Sequence, residues 1–215
     1  GLVDGVDVAS AGELKVAREA GVAACNISFA GPGKRHAELL AAVEEGALIN
    51  VESARELPVL AAAQQTLSKP ARVAVRVNPD FELKGSGMRM GGGPKPFGVD
   101  VDQVPALLQE IGRLGLSFEG FHLYAGSQSL KAAAICEAQT LSYELALRLS
   151  ASAPSPVQVL NLGGGFGVPY FPGDQPLDLE PIGDTLRTLQ QRAASELPQA
   201  HLVLELGRYL VAEAG

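Results

Sequence analysis

HLVLELGRYLVAEAG, His201 to Gly215, is the stretch whose reading decides the fold. Its apolar run through Leu202 and Leu204 reads as a buried strand, and the strand delivers Glu205, Leu206, Gly207 and Arg208 to its carboxyl end. Parallel α/β enzymes assemble their chemistry at that end. A carboxylate and a guanidinium placed there can hold two ends of one ligand, the carboxylate facing a cationic ring nitrogen and the guanidinium a phosphate. A structural ion pair closing a strand would use the same two residues, so Glu205 and Arg208 alone leave both readings open.

Working outward, short β-branched or apolar runs alternate with Ala/Leu/Glu-rich stretches of helical period, the pattern of successive βα units around a parallel sheet. Strands are expected near Gly5–Ala9, Cys25–Phe29, Ala47–Val51, Arg72–Val77, Phe118–Tyr124, Val157–Leu162 and His201–Leu206. Helices are expected near Ala11–Ala20, Lys34–Glu45, Ala54–Ser68, Val101–Leu114, Leu130–Ala151 and Ile182–Glu196, with Glu52 and Ser53 as an acidic, capping start to the third. Seven units plus one missing make a (β/α)8 barrel of the TIM type. An open doubly wound sheet would show the same alternation. The unusual residues favour the barrel: Ser10, Gly31, Asn50, Glu52, Asn78, Gly126, Ser127, Gly163 to Gly165 and Glu205 to Arg208 all follow strands, so closure gathers them around one mouth.

The chain has 215 residues, 47% hydrophobic and 19% charged, enough for one α/β domain with a substantial core. A formal charge of −7 without a block of Lys or Arg argues against nucleic acid and against an acidic membrane surface as partners. Cys25 and Cys136 stand apart and the three histidines are scattered, which indicates neither a disulfide framework nor a metal cluster. The isolated cysteines fit a reducing cytoplasm, and no apolar run approaches the roughly 18 residues of a membrane span, so a soluble protein is expected. Both ends read as cut, so residues 1–215 are expected to be one domain of a longer polypeptide.

Several side chains could carry chemistry. Gly163, Gly164 and Gly165 follow the strand VQVLNL, where backbone N–H groups can approach an anion with no Cβ in the way. A flexible turn would look alike. Ser127 offers a hydroxyl nearby or is a turn serine. Tyr124 could lay its ring against a planar cofactor or simply pack. His122 shares its direction by strand periodicity, and packing is the reading its apolar strand favours. Arg76, inside an apolar strand, requires an anionic partner, for which Glu13, Glu52 or a ligand is available. Asp7 and Glu13 in DVASAGEL are site candidates that capping and surface roles would also explain. The glycine-rich run from Phe81 to Gly98 is longer than a compact connection needs and reads as a substrate-side loop, whereas Ser152 to Pro156 reads as a tight helix-to-strand connection.

Taken together, DVASAGEL, ISFAGPGK, NVES, RVNPD, YAGSQ, NLGGGFG and ELGRYLVAEAG resemble, in order and over essentially the whole chain, the pyridoxal-phosphate-dependent decarboxylases of the alanine-racemase-like barrel fold. That family includes the diaminopimelate, ornithine and arginine decarboxylases. The resemblance implies pyridoxal 5'-phosphate as cofactor, with its phosphate held by Ser127, Gly163 to Gly165 and Arg208, its ring nitrogen by Glu205, its ring beside Tyr124, and Asp7, Glu13, Arg76 and His122 in support. It implies a homodimer acting on an amino acid by α-decarboxylation. The family's Schiff-base lysine, on the strand before DVASAGEL, and the cysteine of its carboxyl-terminal β domain have no counterpart here, so this piece alone is expected to be inactive. Tyr124 replaces a usual histidine. The KGSGMRMGGGPKPFG loop is similar to that of decarboxylases associated with exosortase systems or acting on carrier-protein-linked amino acids, which points away from free diaminopimelate. A catalytically silent cofactor-binding barrel and an unrelated phosphate-binding barrel enzyme such as an aldolase are the competing expectations.

Overall fold

The computed structural model describes residues 3–81, 88–89 and 96–214. Most of the expected substrate-side loop, residues 82–95, lies outside the described residues apart from the backbone of 88–89. Seven βα-type strands follow the chain: β1 (Val6–Val8), β2 (Ile27–Phe29), β3 (Leu48–Val51), β4 (Arg72–Asn78), and, after the two-residue β5 (Met88–Arg89) and β6 (Val99–Asp100), β7 (Ser117–Leu123), then β8 (Gly126–Ser127), β9 (Val159–Gly164) and β10 (His201–Glu205). The helices between them are α1 (Ala11–Glu19), α2 (His36–Glu45), α3 (Glu56–Leu67), α4 (Val104–Arg113), α5 (Ala132–Ser150) and α6 (Glu180–Glu196), with a last short α7 (Arg208–Val211).

The main sheet runs β1-β2-β3-β4-β7-β9-β10, every neighbouring pair parallel. Strand order never reverses along this path, whereas a doubly wound sheet must reverse at its switch point. The two ends of the path also approach each other, because the Asp7 carboxyl on β1 lies within the field of the Glu205 carboxylate on β10. The fold is therefore a nearly closed parallel barrel wrapped by its helices. β3, β4 and β7 are buried along almost their whole length, as expected of strands covered on both faces. Phe29, Ile49, Val73, Val75, Phe121 and Leu160 belong to the core these strands share with the helices.

Local chemistry sets the element ends. The Ser10 hydroxyl accepts the Glu13 N–H at 3.2 Å and starts α1. The third helix departs from expectation: it begins at Glu56, and Arg55 at its cap position makes no side-chain capping bond. Glu52 does not cap it, because its carboxylate is drawn into a buried ion network described below. At the amino-terminal side of the barrel, Arg72 forks onto Glu119 at 2.5 and 2.8 Å and donates to the Gly46 carbonyl at 2.9 Å, tying β4 and β7 to the end of α2.

Candidate cofactor site

Strand pairing places Arg76 (β4) beside His122 (β7) and His122 beside Asn161 (β9), so three buried polar side chains occupy one rung of adjacent strands. Residues at one register share a direction. His122 and Asn161 converge on Glu205 at the end of β10, while Arg76 acts on it only through its charge. His122 Nε2 lies 3.1 Å from one Glu205 oxygen and 3.2 Å from the other, and Asn161 Nδ2 donates to Glu205 Oε1 at 2.8 Å. The Asn161 amide oxygen accepts the Gly163 N–H at 2.8 Å, which fixes the amide's orientation. Burial would raise the Glu205 carboxyl; the His122 charge and hydrogen bond, with Asn161 and Arg76, outweigh it and hold the carboxyl below its ordinary value.

The polar belt continues past Glu205. The Asp7 carboxyl feels both Glu205 and Ser28, and Ser28 Oγ accepts from Asn50 Nδ2 at 2.7 Å. The Asp7 carboxyl is pushed up to about 6, by removal from water and by the Glu205 charge, against the Ser28 bond and the His122 charge. Asp7 keeps accessible surface along the edge of β1, so the adjacent negative charge is the firmer of the two causes. Tyr124, just past β7, has its phenol raised by burial and by Glu205, while Arg76 and Arg208 act in the opposite direction. It therefore lies within the fields of the glutamate and of both arginines.

Arg76 meets the anion that its burial demands in Glu52, at 3.2 Å, and lies 5.0 Å from the centroid of the Phe97 ring. Glu52 also accepts the Gly31 N–H at 2.5 Å and the Gly98 N–H at 3.2 Å. Lys34, with a fully buried side chain, sits 3.1 Å from Glu56 and 3.9 Å from Glu52 and donates to the Gly31 and Asn50 carbonyls at 2.6 and 2.8 Å. Two cations and two carboxylates thus join the loops after β2, β3 and β4.

At the other side of the mouth, Gly163 adopts φ 71° and a Cβ there would stand 2.6 Å from the Leu123 carbonyl, so this position near the end of β9 admits only glycine. A Cβ on Gly164 would fall 1.7 Å from the Glu205 carbonyl: the space it leaves is taken by β10, a strand-packing role rather than room for an anion. The Gly165 carbonyl accepts the Ser129 N–H at 2.8 Å. Ser127 lies on β8, paired with Met88. Arg208 opens α7 and donates to Gln128 Oε1 at 3.2 Å.

Asp7, Arg76, His122, Tyr124 and Glu205 are thus one cluster, with Ser127, Gly163 to Gly165 and Arg208 on the adjoining rim. Glu13 is the outlier: its carboxylate accepts the Ala9 N–H at 2.5 Å and remains at the start of α1. Asn161 and Gln128 were not singled out from sequence. Asn161 carried a signal, being a polar residue inside an apolar strand; Gln128 carried none. Among the described residues no cluster of His, Cys, Asp or Glu could hold a metal ion.

The model of the pyridoxal-dependent decarboxylase family, pyridoxal binding domain, matches residues 2–212. The chain belongs to this family. This pyridoxal-binding domain is 40% identical over 213 residues to the L-glutamyl acyl-carrier-protein decarboxylase of Niallia circulans, covering 98% of the chain and 50% of that relative. It is 35% identical to the diaminopimelate decarboxylase of Aquifex aeolicus, over 98% of the chain and 50% of that relative. The crystal structure of Helicobacter pylori diaminopimelate decarboxylase complexed with L-lysine superposes with a TM-score of 0.84 at 28% identity, covering 98% of the chain and 52% of that structure. The chain spans about half the length of the relatives it matches. The family's cofactor is pyridoxal phosphate, and the donor set fits it: a carboxylate held ionised for the ring nitrogen, and an arginine three positions on for the phosphate.

Proposed function

We propose that this domain is the cofactor-holding part of an enzyme that removes the α-carboxyl group of an amino acid as carbon dioxide, and that its substrate is carried on an acyl-carrier protein. The observation that carries the reaction class is Glu205, ionised and held between His122 and Asn161. Pyridoxal phosphate, when bound, supplies an electron sink whose strength depends on a protonated ring nitrogen. In this reading Glu205 keeps that proton in place. Arg208, Ser127 and the Gly163 to Gly165 turn, with Leu206 and Gly207 carrying the chain between Glu205 and Arg208, would hold the phosphate, and Tyr124 would lie against the ring. His122, Asn161 and Arg76 maintain the charge on Glu205, and Asp7 with Ser28 closes the belt from the opposite edge.

The carrier-linked substrate is supported by the carrier-protein decarboxylase among the relatives and by the glycine-rich 81–98 segment. Residues 1–215 would form one barrel domain of a homodimeric, cytoplasmic enzyme. Support for that placement is the family itself and the absence, among the described residues, of any helix long and apolar enough to cross a membrane. The test is carbon dioxide release by the full-length protein from free diaminopimelate and from glutamyl-loaded carrier protein, with Glu205→Gln beside the wild type. The carrier-linked substrate should be preferred, and the substitution should slow turnover roughly a hundredfold, the loss typical of a removed charge-stabilising group. Rates within twofold of wild type would remove Glu205 from its role, and a preference for free diaminopimelate would overturn the substrate.

A further inference from the structure

Gln128 is a non-glycine residue in the left-handed region, with φ 57°. Such a backbone persists only where the surroundings hold it, and it concentrates at ligand-binding segments. The surroundings here are explicit. Gln128 Nε2 donates to the Val168 carbonyl at 2.5 Å, Val168 N–H reaches Gln128 Oε1 at 3.4 Å, and Arg208 Nη1 donates to the same Oε1 at 3.2 Å. Its neighbour Ser129, fully buried, exchanges backbone bonds of 2.8 Å with Gly165 and Gly167. The segment bearing Ser127 is thereby zipped to the chain leaving the β9 glycine turn, and Gln128 extends that zipper to Arg208.

The geometry points to Gln128 as a positioning residue that aims Arg208 at the phosphate of the cofactor and so sets the preference of the site for phosphorylated pyridoxal. An exposed arginine samples many rotamers and loses that freedom on gripping an anion. Here the loss is met before binding: one guanidinium N–H is taken by Gln128, the ring of Tyr170 lies 5.9 Å from the guanidinium carbon, and Tyr209, next to Arg208, packs edge-on against Phe166 at 5.7 Å. The remaining N–H groups stay available to an anion. Glutamine suits the post because its amide both donates to Val168 and accepts from Arg208; a carboxylate would repel the Val168 carbonyl, and a shorter amide would not span the distance.

This inference rests on the cofactor reading above, and its test separates the two. Pyridoxal phosphate and pyridoxal are titrated into the cofactor-free full-length protein, with binding followed by ring absorbance, for wild type, Gln128→Asn and Gln128→Gly. Both replacements tolerate the left-handed backbone, so folding is preserved. The ratio of the two dissociation constants should fall about fivefold to tenfold in each variant, the cost of immobilising one side chain rich in rotamers. In an Arg208→Ala background the same changes at Gln128 should leave the ratio unaltered, because Gln128 acts through Arg208. A wild type that does not distinguish the two compounds would overturn the cofactor reading itself. A wild-type preference that survives both Gln128 variants within twofold, or a loss that persists without Arg208, would overturn the positioning role alone.

Discussion

The imidazole of His122 contacts both oxygens of Glu205, at 3.1 and 3.2 Å, from a ring that is 2% exposed and whose Nδ1 has no hydrogen-bond partner among the described residues. The contact requires a proton on Nε2, so Glu205 selects which ring nitrogen of His122 is protonated while His122 sustains the charge on Glu205.

Replacing His122 by Phe should therefore raise the Glu205 carboxyl, since burial remains and the largest opposing influence is gone. His122→Gln, which retains an N–H within reach, should restore most of the shift. Carbon-13 titration of labelled glutamate in the full-length protein reads this directly, and the acid limb of the turnover profile should move to higher pH in step. An unmoved titration in the Phe variant would mean that Asn161 and Arg76 suffice.

Asp7 gives a dependence of opposite sign. Its folded-state value, about 6, lies above its ordinary 3.8, so between those values the folded protein binds more protons than the unfolded chain and stability falls as pH rises. The penalty is absent below the ordinary value and complete above about 6. Asp7→Asn should remove it: the variant's advantage in urea midpoint over wild type should grow from pH 4 to pH 7 and then level. A constant difference across that range would dismiss the Glu205 charge as the cause.

Glu52 anchors the buried network. Removing its carboxylate deprives Arg76 of its partner at 3.2 Å, leaves Lys34 with Glu56, and strips the Gly31 and Gly98 N–H groups of an acceptor. Breaking a buried pair from one side costs about 3 kcal/mol, so Glu52→Ala should lower unfolding free energy by that order. A loss below about 1 kcal/mol in urea unfolding would show that water readily replaces the carboxylate at this site.

Several features were legible without coordinates because they depend on local pattern. The alternation of apolar runs and helical periods located all seven barrel strands, with ends displaced by at most two residues, as at Ala47 against Leu48 and Val157 against Val159. Glu205 and Arg208 stood out since a charged pair directly after an apolar strand has few uses. Glu52 carried two readings, a capping start to the third helix and an anionic partner for Arg76: the same carboxylate serves either, and only the proximity of Arg76 and Lys34, 24 residues ahead and 18 behind in the numbering, decides between them. Glycine was ambiguous in the same manner, Gly164 being required by the Glu205 carbonyl of the adjoining strand.

The order of residues by itself determined the βα repeat, the parallel sheet and the family, because periodicity and motif spacing act within each short segment. Tertiary structure alone decided the pairings: Arg76 with Glu52, His122 with Glu205, Asp7 with Glu205 across the two ends of the sheet, Gln128 with Arg208. Each links residues far apart in the chain through a few ångströms of space, and the energy of a charge depends on what lies within that distance and on how much water is left there.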